Sequence, residues 1–204
     1  MRYVLKDENN VPVTGAAFAT GPGADGTFAG AFASLPTGLY HLEVTVEGGY
    51  FASAAPTTEL VVVYDPSTFV TGGGWVRQTP TSTATGAPKF GFNLKYKPGT
   101  TIPTGSFELQ LKNADWNVKA TSYAWLVITH DAANPNIGRA ELLGVATING
   151  AGASCFHAVV TDTPSGDTFS VDIWQDMACG VDVPSIPPTR SVSGPVGGGS
   201  ITVH

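Results

Sequence analysis

The sequence predicts an all-β protein built from antiparallel sheets, and three observations carry that expectation. Apolar and polar residues alternate with period two in several segments, which puts one face of a strand in a core and the other in water. Turn-forming residues recur between these segments at strand-length intervals, as they do in sandwiches and barrels and not in βαβ units. With 25 Gly and 15 Pro in 204 residues, and abundant Thr and Val, the composition favours turns and strands over helices.

The elements follow in order. Residues 2–7 (RYVLKD) read as a strand, with turn signals at Asn9 and Asn10, at Gly21, Pro22 and Gly23, and at Pro36, Thr37 and Gly38. Leu42, Val44 and Val46 alternate with His41, Glu43 and Thr45 in a half-buried strand that Glu47, Gly48 and Gly49 close. Residues 59–64 form a β-branched run suited to a buried strand, and Pro66 ends it by removing a backbone donor. Gly72, Gly73 and Gly74 then precede Trp75, which predicts a bulge or a backbone packed beneath a large ring, with Trp75 substantially buried against the glycines before it.

Phe90, Phe92, Leu94 and Tyr96 alternate with Gly91, Asn93, Lys95 and Lys97, and Phe107, Leu109 and Leu111 with Glu108, Gln110 and Lys112. Such one-sided strands belong to antiparallel sheets with one wet face. Pro98 and Gly99 separate the two, Trp116 falls in a turn-like NADWN, and residues 123–130 (YAWLVITH) form a strand. Asn149 and Gly150 mark the next turn. Residues 155–162 (CFHAVVTD) and 167–174 (DTFSVDIW) form a hairpin about Pro164, Ser165 and Gly166. Residues 180–199 are too rich in Pro and Gly for a central strand and read as a long surface loop before a last strand over 200–203.

Charge narrows the function classes. Only 13% of residues are charged, below the ~25% of typical globular domains. The net charge is −6, with seven acids against two bases in residues 1–66 and nine against eight in residues 67–204. Nothing resembles a basic patch able to neutralise phosphates, so no nucleic-acid partner is expected. No apolar run approaches the ~20 residues of a membrane-spanning helix, and no membrane insertion is expected. Met1 leads directly into a strand without the charged and apolar regions of a signal peptide, so the chain reads as a mature protein or an excerpt, the excerpt being favoured.

Few residues carry chemistry. Antiparallel pairing of the late hairpin puts position 155 opposite 174 or 175, within reach of Cys179, so a Cys155–Cys179 disulfide is expected in an oxidising compartment; two buried thiols are the alternative. His41, His130, His157 and His204 stand alone, without HxH, HExxH or CxxC spacing. No GxSxG or SxxK occurs. Asp162 and Asp167 flank one hairpin turn and are the candidate ligands for calcium, with solvated turn acids as the alternative and no other cofactor expected. Of Trp75, Trp116, Trp125 and Trp174, Trp116 is the best candidate for an exposed ligand contact. No catalytic residue is expected.

Five blocks carry a family resemblance: VYDPSTFVTGGGW, PKFGFNLKYKPG (88–99), YAWLVI (123–128), DTFSVDIW (167–174) and the terminal GGGSITVH. Together they resemble the GGGW-type β-domain of large secreted bacterial proteins, sometimes labelled a post-choice-of-anchor domain, from residue 67 to the C-terminus. Residues 1–66, with KDENNVPVTGAAF and LPTGLYHLEVTVEG, resemble the bacterial Ig-like repeat that often precedes it. The resemblance implies an Ig-like sandwich over 1–66 and a larger antiparallel β-sandwich or jelly-roll-like domain over 67–204. It also implies a non-catalytic structural or adhesive module, extracellular or at the cell surface, whose partners are other domains of a larger protein, a glycan, or copies of itself joined through edge strands. A carbohydrate-binding module, calcium-assisted or not, and a hydrolase with a loop-assembled site are the alternatives.

Overall fold

A computed structural model describes residues 1–32, 34–47, 55–77 and 86–204; the turn expected at Gly48 and Gly49 lies outside them. The chain forms two compact units, Met1–Val63 and Tyr64–His204.

The first unit is a four-stranded antiparallel sheet made of β1 (Arg2–Asp7), β2 (Pro12–Ala19), β3 (Gly38–Thr45) and β4 (Thr57–Val63), in the order β2-β1-β3-β4. The β1–β2 turn forms because the Asp7 carboxylate accepts the N–H groups of Asn9 and Val11, both at 2.9 Å, while Asn10 takes the left-handed conformation with φ 64°. Leu5, Ala16 and Tyr40 are its buried centre, flanked by Val13, Phe32, Leu35, Leu42, Val61 and Val63. Among the described residues this is one sheet, without the facing sheet of an Ig-like sandwich.

The second unit is a closed eight-stranded antiparallel barrel. Its strands are β5 (Phe69–Val76), β6 (Lys89–Lys95), β7 (Thr104–Leu111), β8 (Trp116–His130), β9 (Gly138–Ile148), β10 (Ala151–Asp162), β11 (Thr168–Trp174) and β12 (Arg190–Val203). Each pairs with the next in the chain and β12 returns to pair with β5, so the expected open sandwich or jelly roll is replaced by an up-and-down barrel. Closure leaves the barrel no edge strand; the edges of the first sheet are β2 and β4.

Eight strands enclose a space that side chains can fill. Phe90, Phe92, Leu94, Phe107, Leu109, Phe156, Phe169 and Val171 point into it, all buried, as the period-two pattern requires. Phe90 stacks on Phe169 at 4.3 Å between ring centroids and Phe107 on Phe156 at 4.6 Å. Such offset stacking adds to the area these rings bury. Two glycines make room for the column: a Cβ on Gly72 would lie 2.5 Å from the Phe92 ring, and one on Gly144 2.8 Å from the Phe156 ring.

Two expectations are corrected. Residues 190–199 are strand, not loop, because β12 changes partner along its length: it pairs with β11 up to Pro195 and with β5 from Val196. Pro195 thus sits at the hand-over between ladders, where its missing donor is least costly, and its carbonyl accepts the Arg77 N–H at 2.9 Å. Trp116 opens β8 instead of lying in a turn; the turn is the single helical turn Lys112–Ala114 before it, closed by Asp115 in the left-handed region.

Candidate binding face

The outer surface of the barrel has two faces of different character. On β5, β6 and β7 the outward residues lie in rows set by the registers Trp75–Lys89–Gln110, Gly73–Gly91–Glu108 and Thr71–Asn93–Ser106. The middle row starts with two glycines, so a cleft of about 530 Å³ opens there, lined by Gly74, Lys89, Gly91, Asn93, Ser106, Glu108 and Gln110 together with the backbone side of Phe90 and Phe92. Glu108 is paired with Lys119 of β8 at 2.9 Å. One lysine, one paired glutamate, two amides and a hydroxyl therefore face the cleft.

Trp75 stands at the β5 end of the row of Lys89 and Gln110, beside the lining residues, with its ring turned toward β12, and its position corrects the expectation of burial against the preceding glycines. The indole is 36% exposed and lies over the opposite strand. A Cβ on Gly197 would meet its six-membered ring at 2.2 Å, and one on Gly198 its Nε1 at 2.6 Å. Both glycines face the ring because the register of β12 shifts between Val196 and Gly198. The ring thus lies flat on a backbone floor with its other side open. The preceding glycines serve other ends: Gly72 clears Phe92, and Gly74 approaches β12 so closely that a Cβ would stand 2.1 Å from the Gly198 carbonyl oxygen. Gly199, with φ 100°, is its counterpart across the ladder: a Cβ there would stand 2.0 Å from the Gly73 oxygen.

The face formed by β8 to β11 is closed. Trp125, Val127, Leu143, Cys155 and Trp174 are buried although they lie outside the barrel's inner cluster. What covers them is the segment 175–189. Trp125 donates its indole N–H to the Val181 carbonyl at 2.7 Å and Trp174 to that of Ile186 at 2.8 Å, so both buried donors are satisfied. Cys155 faces Trp174 in the hairpin and is joined to Cys179, with Cα atoms 4.8 Å apart. The disulfide ties the covering segment to β10.

At the margin of this face lies a charged group with no local signature in the chain. Glu141, 6% exposed, accepts a hydrogen bond from His157 Nε2 through Oε1 at 2.7 Å, while its Oε2 stands 2.6 Å from the Arg139 guanidinium, out of line for a hydrogen bond. Burial pushes the Glu141 carboxyl up, but the His157 hydrogen bond and the charges of Arg139 and His157 outweigh it and hold the carboxyl below its ordinary range. A strand reader sees Arg139 and Glu141 two apart on one face; only the register brings His157 diagonally across to them.

The other sequence candidates are dispersed. The Arg190 guanidinium lies 4.7 Å from the Trp116 ring centroid, so this half-buried indole has one face occupied, and Trp75 is the exposed tryptophan instead. Asp162 Oδ2 accepts the Val203 N–H at 3.1 Å and Asp167 Oδ2 the Ile201 N–H at 2.8 Å, so each holds β12 in place. Among the described residues no three His, Cys, Asp or Glu side chains converge as a metal site would require. His204 stacks on Phe69 at 4.0 Å, and His130 Nδ1 lies 3.3 Å from the Pro135 carbonyl. Compared with known protein families, characterised proteins and solved structures, the chain matches none.

Proposed function

We propose that the chain is a non-catalytic structural or adhesive module of a secreted or cell-surface bacterial protein, an Ig-like repeat followed by a GGGW-type domain. The observation that carries the reading is the filled barrel: phenylalanines stack through the interior where a lipocalin-like binder would keep a cavity, so a partner must be met on the outside. The disulfide supports an oxidising compartment. Charged and amide side chains face outward on β6 and β7 with apolar ones inward, the reverse of a lipid-facing barrel. Other domains of a larger protein, a glycan, or copies paired through the edges of β2 and β4 are the partners this reading allows. The hydrolase alternative finds less: His157 is held by Glu141, as a general base would be, but the cysteine two residues before it is locked in the disulfide.

Beads coated with the full chain, driven by flow over bacterial cells, eukaryotic cells and a carpet of the chain itself, test the module. Retention on at least one surface is expected. Retention on none, or turnover of an ester, glycoside, peptide or phosphoester that one His→Ala substitution abolishes with the fold intact, overturns it.

A further inference from the structure

We infer that the outer cleft over β5, β6 and β7 is a binding site for a neutral polysaccharide chain, with Trp75 as its stacking platform and Lys89, Gln110, Asn93, Ser106 and Glu108 as its hydroxyl contacts. The inference rests on the adhesive reading above and names the ligand class that reading leaves open.

Two glycines of this face are not required by the fold. Gly72, Gly74 and Gly199 each have a structural cause, since a Cβ would strike a ring or a neighbouring backbone. Gly91 has none: nothing lies within 4 Å of the place its Cβ would take, and its φ is one that any residue adopts. Gly73, its partner across the ladder, would meet only the Phe90 carbonyl oxygen at an ordinary 3.7 Å. Glycine weakens a strand, and in a strand interior it often marks where a ligand comes close to the backbone. These two lie side by side and make a bare floor.

The walls then decide what fits. The rows on either side of the floor are four residues apart along the strands, about 13 Å between their Cα atoms at ~3.3 Å per residue, which admits a single extended chain running across the strands. The volume of about 530 Å³ falls within the ~300–1,000 Å³ of ligand sites. The lining offers donors in Lys89, Asn93, Gln110 and Ser106 and acceptors in Glu108, the amides and the hydroxyl. A sugar hydroxyl both donates and accepts, so this mixed set suits it. Phosphate or sulfate groups would find Lys89 alone against Glu108, and a peptide would find no apolar pockets for its side chains. The open side of the Trp75 indole, at the end of the row that contains Lys89 and Gln110, presents a flat apolar surface to the C–H face of a pyranose ring.

The test uses the full chain with cello-, xylo-, manno-, malto-, galacto- and chitohexaose, followed by calorimetry and by intrinsic tryptophan fluorescence. At least one hexaose is expected to bind. Gly91→Leu should fill the cleft and weaken that binding by about tenfold or more while leaving circular dichroism as in the wild type and the unfolding midpoint no lower. Trp75→Ala should weaken it comparably, and Trp116→Ala should not. Binding of no hexaose at roughly millimolar concentration, or wild-type affinity in the folded Gly91→Leu protein, overturns the site. If coated beads still adhere in either case, the module reading stands and only the glycan assignment falls; if beads adhere nowhere, both fall.

Discussion

The two outer faces of the barrel are made from the same strand geometry, and they differ in what lies on top. Over β8 to β11 the sheet presents Trp125, Leu143 and Trp174, and a segment of chain is folded down to cover them. Over β5 to β7 it presents glycine, amide and charge, and no described segment of the same unit is folded over it. Tryptophan appears on both, under a lid on one and on top of a floor on the other. Large apolar surface on a barrel is therefore either sealed by the chain itself or kept as a single ring at the margin of a polar cleft.

The sealed face should fail hardest when broken. Trp174→Ala removes a buried indole and orphans the Ile186 carbonyl, with an expected loss of about 3–5 kcal/mol in urea unfolding. Opening the Cys155–Cys179 bond, by Cys→Ala at both positions or by reductant, should cost about 3 kcal/mol for a loop of this length. Unfolding with and without reductant checks it, and protection of the Trp125 indole proton from hydrogen exchange should drop with it.

Acid sharpens the contrast from another side. The folded Glu141 carboxyl titrates below its unfolded value, so its stabilising contribution is present above the ordinary carboxylate range and is lost as pH falls through the folded value. Stability measured against pH should fall less on acidification in Glu141→Gln than in the wild type. The glycines provide an internal control on one strand pair. Gly72→Val drives a side chain into Phe92 and Ile201 and should destabilise by about 1–3 kcal/mol, whereas Gly91→Val meets open space and should stabilise by roughly 0.5 kcal/mol. Trp75→Ala should cost only about 1 kcal/mol, far less than Trp174→Ala, since its ring is part-exposed on a glycine floor.

Much of the barrel wall was legible in the sequence, because alternation at 90–97 and 107–112 is a local signal and the core face it names is the one observed. The late hairpin was legible too, and with it the facing of Cys155 and Trp174. Closure was not, since pairing of β12 with β5 joins the two ends of the unit and leaves no mark on either segment. Composition misled at 190–199: proline and glycine are breakers in a strand with two constant partners, but this strand exchanges one ladder for another. The candidate site was half visible. GGGW pointed to an indole near bare backbone, but the backbone beneath the ring belongs to Gly197 and Gly198, far along the chain, and the floor glycine Gly91 looked like one more outward position in an alternating strand.

That same β5–β12 ladder has a consequence for how the protein is made. Until β12 is available, β5 lacks its second partner and the phenylalanine column has an open side; seven of the eight ladders join consecutive strands, so closing this one long-range ladder is the expected slow step of folding. The barrel can complete its core only once β12 is free to pair with β5, so closure of this single ladder is the expected last step in forming the unit.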